Sequence, residues 1–124
     1  MIVCVVDDLI FSIKISTAAK RLGVDIYFER SKENVLPTVR DKQPSLVIFD
    51  LNSGRLAPIA AIATMKSDPA LQSIRTLGYV AHVDSDTIDH ARAAGIDQVL
   101  ARSAFSDKLG DILTNAGSPP KPPG

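Results

Sequence analysis

Leu46-Val47-Ile48-Phe49-Asp50 is the stretch on which the fold of this chain turns. Four apolar residues stand together without a polar interruption and end on a carboxylate. Pro44 introduces the run, and the turn-forming residues Asn52-Ser53-Gly54 follow it. The run is too short for a helix, rich in strand-forming residues and bounded by turn chemistry, so it reads as a strand buried on both faces. The chain opens in the same way. Ile2 to Val6 is a short, mostly β-branched apolar run that ends on Asp7-Asp8.

Working outward, Pro58 lies in the first turn of a helix that runs to about Lys66, and Asp68-Pro69 breaks it. Leu77 to Ala81 predicts a fourth strand, weakened by Gly78. Asp84 to Asp86 offer caps for a helix with Ile88, Ala91 and Ala94 on one side, which Gly95 ends. Val99-Leu100-Ala101 predicts a very short fifth strand, and Phe105, Leu109, Ile112 and Leu113 mark one last helix. Toward the N-terminus, Phe11, Ile15, Ala18 and Leu22 form a helical stripe closed by Gly23, and Val24 to Phe28 is the second strand. Ser31 begins a helix carrying Val35, Leu36 and Val39. Pro37 within it lacks a backbone donor and clashes with the preceding turn, which predicts a late start or a kink.

Strand and helix thus alternate five times. This predicts an α/β fold, a doubly wound five-stranded parallel sheet of flavodoxin-like order 2-1-3-4-5 with helices on both faces. Residues 1–116 form the domain, and the four prolines within 117–124 predict a tail or linker. The 124 residues suit one domain, and 45% apolar residues suffice for a core. Lysine plus arginine and aspartate plus glutamate balance at 14 each, which argues against nucleic-acid or membrane binding. No apolar run approaches the ~20 residues of a membrane span. No signal peptide opens the chain, so the expected location is cytoplasmic. Cys4, the single cysteine, excludes an internal disulfide and sits in an apolar run as a small core residue.

In the order 2-1-3-4-5 the first and third strands are neighbours, so Asp7, Asp8 and Asp50 converge at the carboxyl end of the sheet, where such folds bind ligands. Carboxylates this close repel, and a hard divalent cation such as Mg²⁺ is the counter-ion best matched to oxygen ligands. Arg102, at the end of the fifth strand, adds a second positive charge. A carboxylate beside a metal and a cation is suited to accept a phosphoryl group as nucleophile. Taken singly, Asp7 or Asp8 is equally a helix cap and Asp50 a turn residue. His82 and His90 read as loop and surface residues. There is no glycine-rich dinucleotide loop, Walker loop or nucleophile elbow. The Asp-x-Asp of a haloacid-dehalogenase phosphatase and the Asp-x-His-x-x-Gly of a cobalamin module are also absent.

Val5-Val6-Asp7-Asp8, Pro44 to Asn52 and Ala93-Ala94-Gly95-Ile96-Asp97 together resemble the receiver domain of two-component response regulators over roughly residues 1–116. The resemblance implies a phosphorelay module rather than an enzyme, with Asp50 as phosphoacceptor. It also implies Mg²⁺ held by Asp8, Asp50 and the Asn52 carbonyl, with Asp7 assisting through water. A histidine kinase, a phosphotransfer protein or another signalling protein is the implied partner. The chain departs from the pattern at Val80, where receivers carry Ser or Thr, and at Val99, where they often carry an aromatic. Arg102-Ser103 stands for Lys-Pro, and Ser53-Gly54 for Met-Pro. The alternative is a phosphorylation-independent pseudo-receiver that acts through protein contacts of the last two helices and the fifth strand. A small Mg²⁺-dependent phosphatase is a distant third reading and requires His82 as general acid.

Overall fold

The computed structural model describes residues 1–81 and 84–117. His82 and the proline-rich residues 118–124 lie outside them. The strands are β1 (Ile2–Val5), β2 (Ile26–Phe28), β3 (Leu46–Asp50), β4 (Arg75–Val80) and β5 (Gln98–Ala101). The helices are α1 (Leu9–Leu22), α2 (Lys32–Lys42), α3 (Pro58–Ser67), α4 (Ser85–Ala93), α5 (Arg102–Asp107) and α6 (Leu109–Gly117), with a short 3-10 turn at Gly54–Leu56. All strand pairs are parallel, in the order β2-β1-β3-β4-β5. The expected sheet and strand order are therefore found.

The alternation of side chains along buried strands builds two cores. Val3, Val5, Val47, Phe49 and Val80 pack with α2, α3 and α4 on one face. Ile2, Cys4, Ile48, Leu77 and Tyr79 pack with α1, α5 and α6 on the other. Burial pushes the Cys4 thiol up to about 12, so it is an inert core group. Gly23, in the left-handed region at φ 70°, closes α1 by donating its N–H to the carbonyls of Ala19 and Lys20.

Two expectations change. The second helix starts at Lys32 and continues through Pro37, so Pro37 does not delay it. Val35 and Val39 are fully buried on either side of Pro37, and their packing carries the helix past the missing donor. The single last helix is two, because Lys108 leaves the helical region (φ −98°, ψ 6°). Phe105, Leu109 and Leu113 still face one core across that break, which is why apolar spacing does not reveal it. The second of these helices ends at Gly117.

The end of the sheet opposite the Asp50 site is fastened by Asp97. Its Oδ2 accepts from Lys66 Nζ (2.8 Å), Thr76 N (2.8 Å) and Thr76 Oγ1 (3.0 Å). Burial acts to raise the Asp97 carboxyl, but the Lys66 ammonium and the Thr76 bonds outweigh it and hold the group below the usual range.

Candidate functional site

Asp50 ends β3 half-buried, in register with Tyr79 of β4. Its Oδ1 accepts the Asn52 N–H at 3.0 Å. The Asn52 side chain reaches across to β4 and accepts the Ala81 N–H at 2.6 Å, while the Asn52 carbonyl accepts from Gly54 N at 3.1 Å. Leu51 donates its N–H to the Tyr79 carbonyl at 3.0 Å. These bonds fix the chain leaving β3 to the end of β4. The second oxygen of Asp50 has no hydrogen bond to any described residue.

The two acidic residues after β1 divide their work. Asp8 caps α1: its Oδ1 accepts from Phe11 N at 3.1 Å and its carbonyl from Ser12 N at 2.9 Å. Asp7 is held by a residue that sequence reading passed over. Arg55, on the 3-10 turn, donates Nε to Asp7 Oδ2 at 2.8 Å and Nη2 to Asp7 Oδ1 at 2.5 Å. The same Nη2 reaches the Arg30 carbonyl at 3.2 Å. One guanidinium therefore joins the loops that follow β1, β2 and β3. Arg55 reads as an ordinary surface arginine in sequence. The available signal is that the loop leaving β3 lies beside the end of β1 in this strand order.

Asp7, Asp8 and Asp50 occupy one end of the sheet, but they do not form the expected three-carboxylate cluster. Among the described residues no three His, Cys, Asp or Glu side chains are placed to hold a metal ion together. The physical reason is visible in the bonds above: Asp7 is turned to Arg55, and one oxygen of Asp8 to the α1 backbone. The pocket is nevertheless one electrostatic unit. Burial pushes the Asp50 carboxyl above its ordinary value; the Asn52 N–H opposes this, the Asp8 charge adds to it, Arg102 opposes and Asp7 adds. The Arg55 hydrogen bonds hold Asp7 below the usual carboxylate range.

The other oxygens expected to take Mg²⁺ are those of Asp8, Asp50 and the Asn52 carbonyl, all at the same end of the sheet. That set fits Mg²⁺, which is commonly held by one or two carboxylates together with waters and substrate phosphate oxygens. Asp7 would join that set only in competition with Arg55.

Arg102 pairs with no carboxylate among the described residues. It begins α5 with its guanidinium over the Phe11 ring, 5.3 Å from the centroid. Phe11, Tyr79 and Phe105 stack below it, with Tyr79 centroid distances of 5.1 Å to Phe11 and 4.8 Å to Phe105. Val80 is buried in the opposite core and brings no hydroxyl to the pocket; Val99 packs against that same core. The hydroxyl at this end of the strand belongs to Tyr79, one residue earlier and in register with Asp50. It is buried with no hydrogen-bond partner among the described residues. Burial pushes this phenol up, and the Asp50 and Asp8 charges add to the effect. A cleft of about 430 Å³ opens at the ends of β4 and β5, lined in part by Phe11, Val80, Ala81, Arg102 and Ser103.

The large exposed apolar side chains nearest this end are Leu9, Ile10 and Ile13 of α1, at 68%, 77% and 57% exposure. None lies on α5, α6 or β5 among the described residues, so apolar exposure does not favour the last two helices as the docking face. His90 is exposed on α4. No described helix is long and apolar enough to cross a membrane.

No protein-family model matches the sequence, and no curated protein matches it in sequence. Solved structures do match the fold. A response regulator from Hahella chejuensis superposes with a TM-score of 0.84 at 16% identity, covering 98% of each chain. The phosphorylated cyanobacterial phytochrome response regulator RcpA gives 0.73 at 21%, covering 92% of this chain and 88% of its own. The receiver domain of the sensor histidine kinase PA1611 from Pseudomonas aeruginosa PAO1, with magnesium coordinated in its active-site cleft, gives 0.79 at 15%, covering 93% and 94%. The fold is thus that of response-regulator receiver domains, and likeness at these identities is one of fold.

Proposed function

We propose that this chain is a receiver module of two-component signalling that accepts a phosphoryl group on Asp50. The observation that carries the reading is Asp50 itself. It is a half-buried carboxylate at the carboxyl end of a central strand, with one oxygen fixed by Asn52, the other free of described partners, and both acidic and cationic charge around it. The free oxygen attacks the phosphorus of a phosphohistidine. The P–N bond breaks, the imidazole leaves with the bonding pair, and an acyl phosphate forms on Asp50. Asp8, Asp50 and the Asn52 carbonyl are the residues that would hold Mg²⁺, which supplies neutralising charge to the transferring oxygens. Arg102 stands at the cleft with a charge available to the phosphoryl oxygens.

The partner is a histidine kinase or a phosphotransfer protein. The exposed face of Leu9, Ile10 and Ile13 begins directly after Asp8, so a partner seated there brings its donor to the pocket. Incubation with acetyl phosphate and Mg²⁺ is expected to add one phosphoryl mass, mapping to the peptide that contains Asp50. An unmodified intact mass would instead favour a phosphorylation-independent protein-interaction module, the reading that the Arg55–Asp7 pair supports.

Phosphorylation is expected to move α4 little. A ligand shifts a conformational equilibrium only through contacts that differ between states. A hydroxyl at position 80 would offer the phosphoryl group a charged hydrogen bond worth ~1.5–3 kcal/mol, and Val80 offers none. Beryllofluoride should therefore give small amide shifts across Ser85 to Ala93, enlarged in Val80→Thr. Large shifts in the wild-type protein would show that the response runs by another route.

A further inference from the structure

We infer that Arg55 is a resident cation of the acidic pocket, one that competes with a divalent metal for Asp7 and sets how tightly the pocket binds it. The inference rests on reading the Asp50 pocket as a receiver pocket. Three observations carry it. The guanidinium takes both Asp7 oxygens in a fork, so a metal or a metal-bound water reaches Asp7 only in competition with two charged hydrogen bonds and against the guanidinium charge. Arg55 is anchored a second time at the Arg30 carbonyl, which holds the fork in place across three loops. The pair is also exposed, 61% for the Arg55 side chain and 35% for Asp7, so it can open rather than lock. The turn that presents Arg55 ends at Ala57, a non-glycine residue in the left-handed region at φ 47°. The backbone is held in this disfavoured shape where it delivers the side chain.

With Arg55 paired to Asp7, the pocket presents Asp8 and Asp50 to a metal. With Arg55 neutralised, it presents three carboxylates and one positive charge fewer. Metal affinity should rise when Arg55 loses its charge, and should not rise when Asp7 does.

The test is Mg²⁺ titration of the purified chain, read by the amide shifts of Asp50 to Asn52 and by the thermal midpoint. Neither readout requires phosphorylation. Arg55→Gln is expected to tighten Mg²⁺ binding by about tenfold or more. Arg55→Lys, which keeps the charge but loses the fork, should fall between it and wild type. Asp7→Asn breaks the same fork and loosens the same loops but frees no carboxylate, and is expected to bind no tighter than wild type. Equal affinities for wild type and Arg55→Gln would overturn the inference, as would an equal gain in Asp7→Asn, which would assign the effect to loop mobility. Absence of binding in every variant overturns it too. Acetyl phosphate labelling is measured separately, so a chain that binds Mg²⁺ as expected yet takes no phosphoryl group counts against Asp50 as acceptor and leaves the role of Arg55 standing.

Discussion

Gly78→Val is expected to lower the stability of the domain by about 3 kcal/mol, a fall in midpoint on the order of 10 °C for a chain of this size. In the sequence Gly78 reads as a flaw in an otherwise apolar strand. In the structure it is a site of close approach: a Cβ there would lie 2.6 Å from Leu51 Cγ and Cδ1 and 2.9 Å from Ile96 Cδ1. Neither neighbour yields easily. Leu51 is buried, and its backbone is tied to the Tyr79 carbonyl; Ile96 is buried just ahead of β5. Any side chain at position 78 must push back the residue that follows Asp50. The cost therefore falls on the loop that orients the proposed acceptor. Gly78→Ala should cost less than valine but remain clearly destabilising. Chemical denaturation reads both, and an unchanged midpoint in the valine variant would show that Leu51 finds another rotamer freely.

Gly78 illustrates what the sequence does and does not carry. Strands buried on both faces leave a signal in one dimension, because every residue of Leu46 to Phe49 must be apolar. Alternation with helices then fixes a parallel sheet, and the carboxyl ends of its strands locate Asp7, Asp8 and Asp50. Positions follow from such patterns, but partners do not. The pairing of Arg55 with Asp7 spans distant parts of the chain and depends on the rotamers of two long or polar side chains. The packing of Leu51 onto Gly78 is equally non-local. Arg102 shows the same limit: its place at the end of the fifth strand is legible, while its position over the Phe11 ring is not. A hydroxyl does stand one residue before Val80, on Tyr79, and only the register of β3 against β4 pairs that residue with Asp50.

Asp50→Asn is expected to abolish phosphoryl uptake and at the same time to make the domain more stable at neutral pH. The second effect follows from the direction of the Asp50 shift. Burial, with the Asp8 charge adding to it, raises this carboxyl above its ordinary value in the folded state, with Asn52 and Arg102 only partly opposing. Between the unfolded and folded values the native state then holds more protons than the unfolded one, so ionisation of Asp50 removes stability as pH rises through that window. Asparagine keeps an oxygen for the Asn52 N–H and carries no charge. Asp50 is only half-buried and solvent screens part of the repulsion, so the gain at pH 7 should be on the order of 1 kcal/mol, about 4 °C in the midpoint. Asp7, Asp68, Asp84 and Asp97 are shifted the opposite way, and their contributions, present at neutral pH, are lost as the pH falls below the ordinary carboxylate range. Asp68, Asp84 and Asp97 lie away from the pocket and shape the acid limb of both proteins alike, so the difference between wild type and Asp50→Asn reports on Asp50 and the charges coupled to it. That difference should shrink toward zero on acidification through about pH 4, where an ordinary aspartate is itself protonated. Millimolar Mg²⁺ should narrow it from the other side, by stabilising only the wild-type pocket. An Asp50→Asn protein that is less stable at pH 7, by an amount indifferent to pH, would mean that Asp50 is held by favourable contacts and is not the strained carboxylate of a phosphoacceptor site.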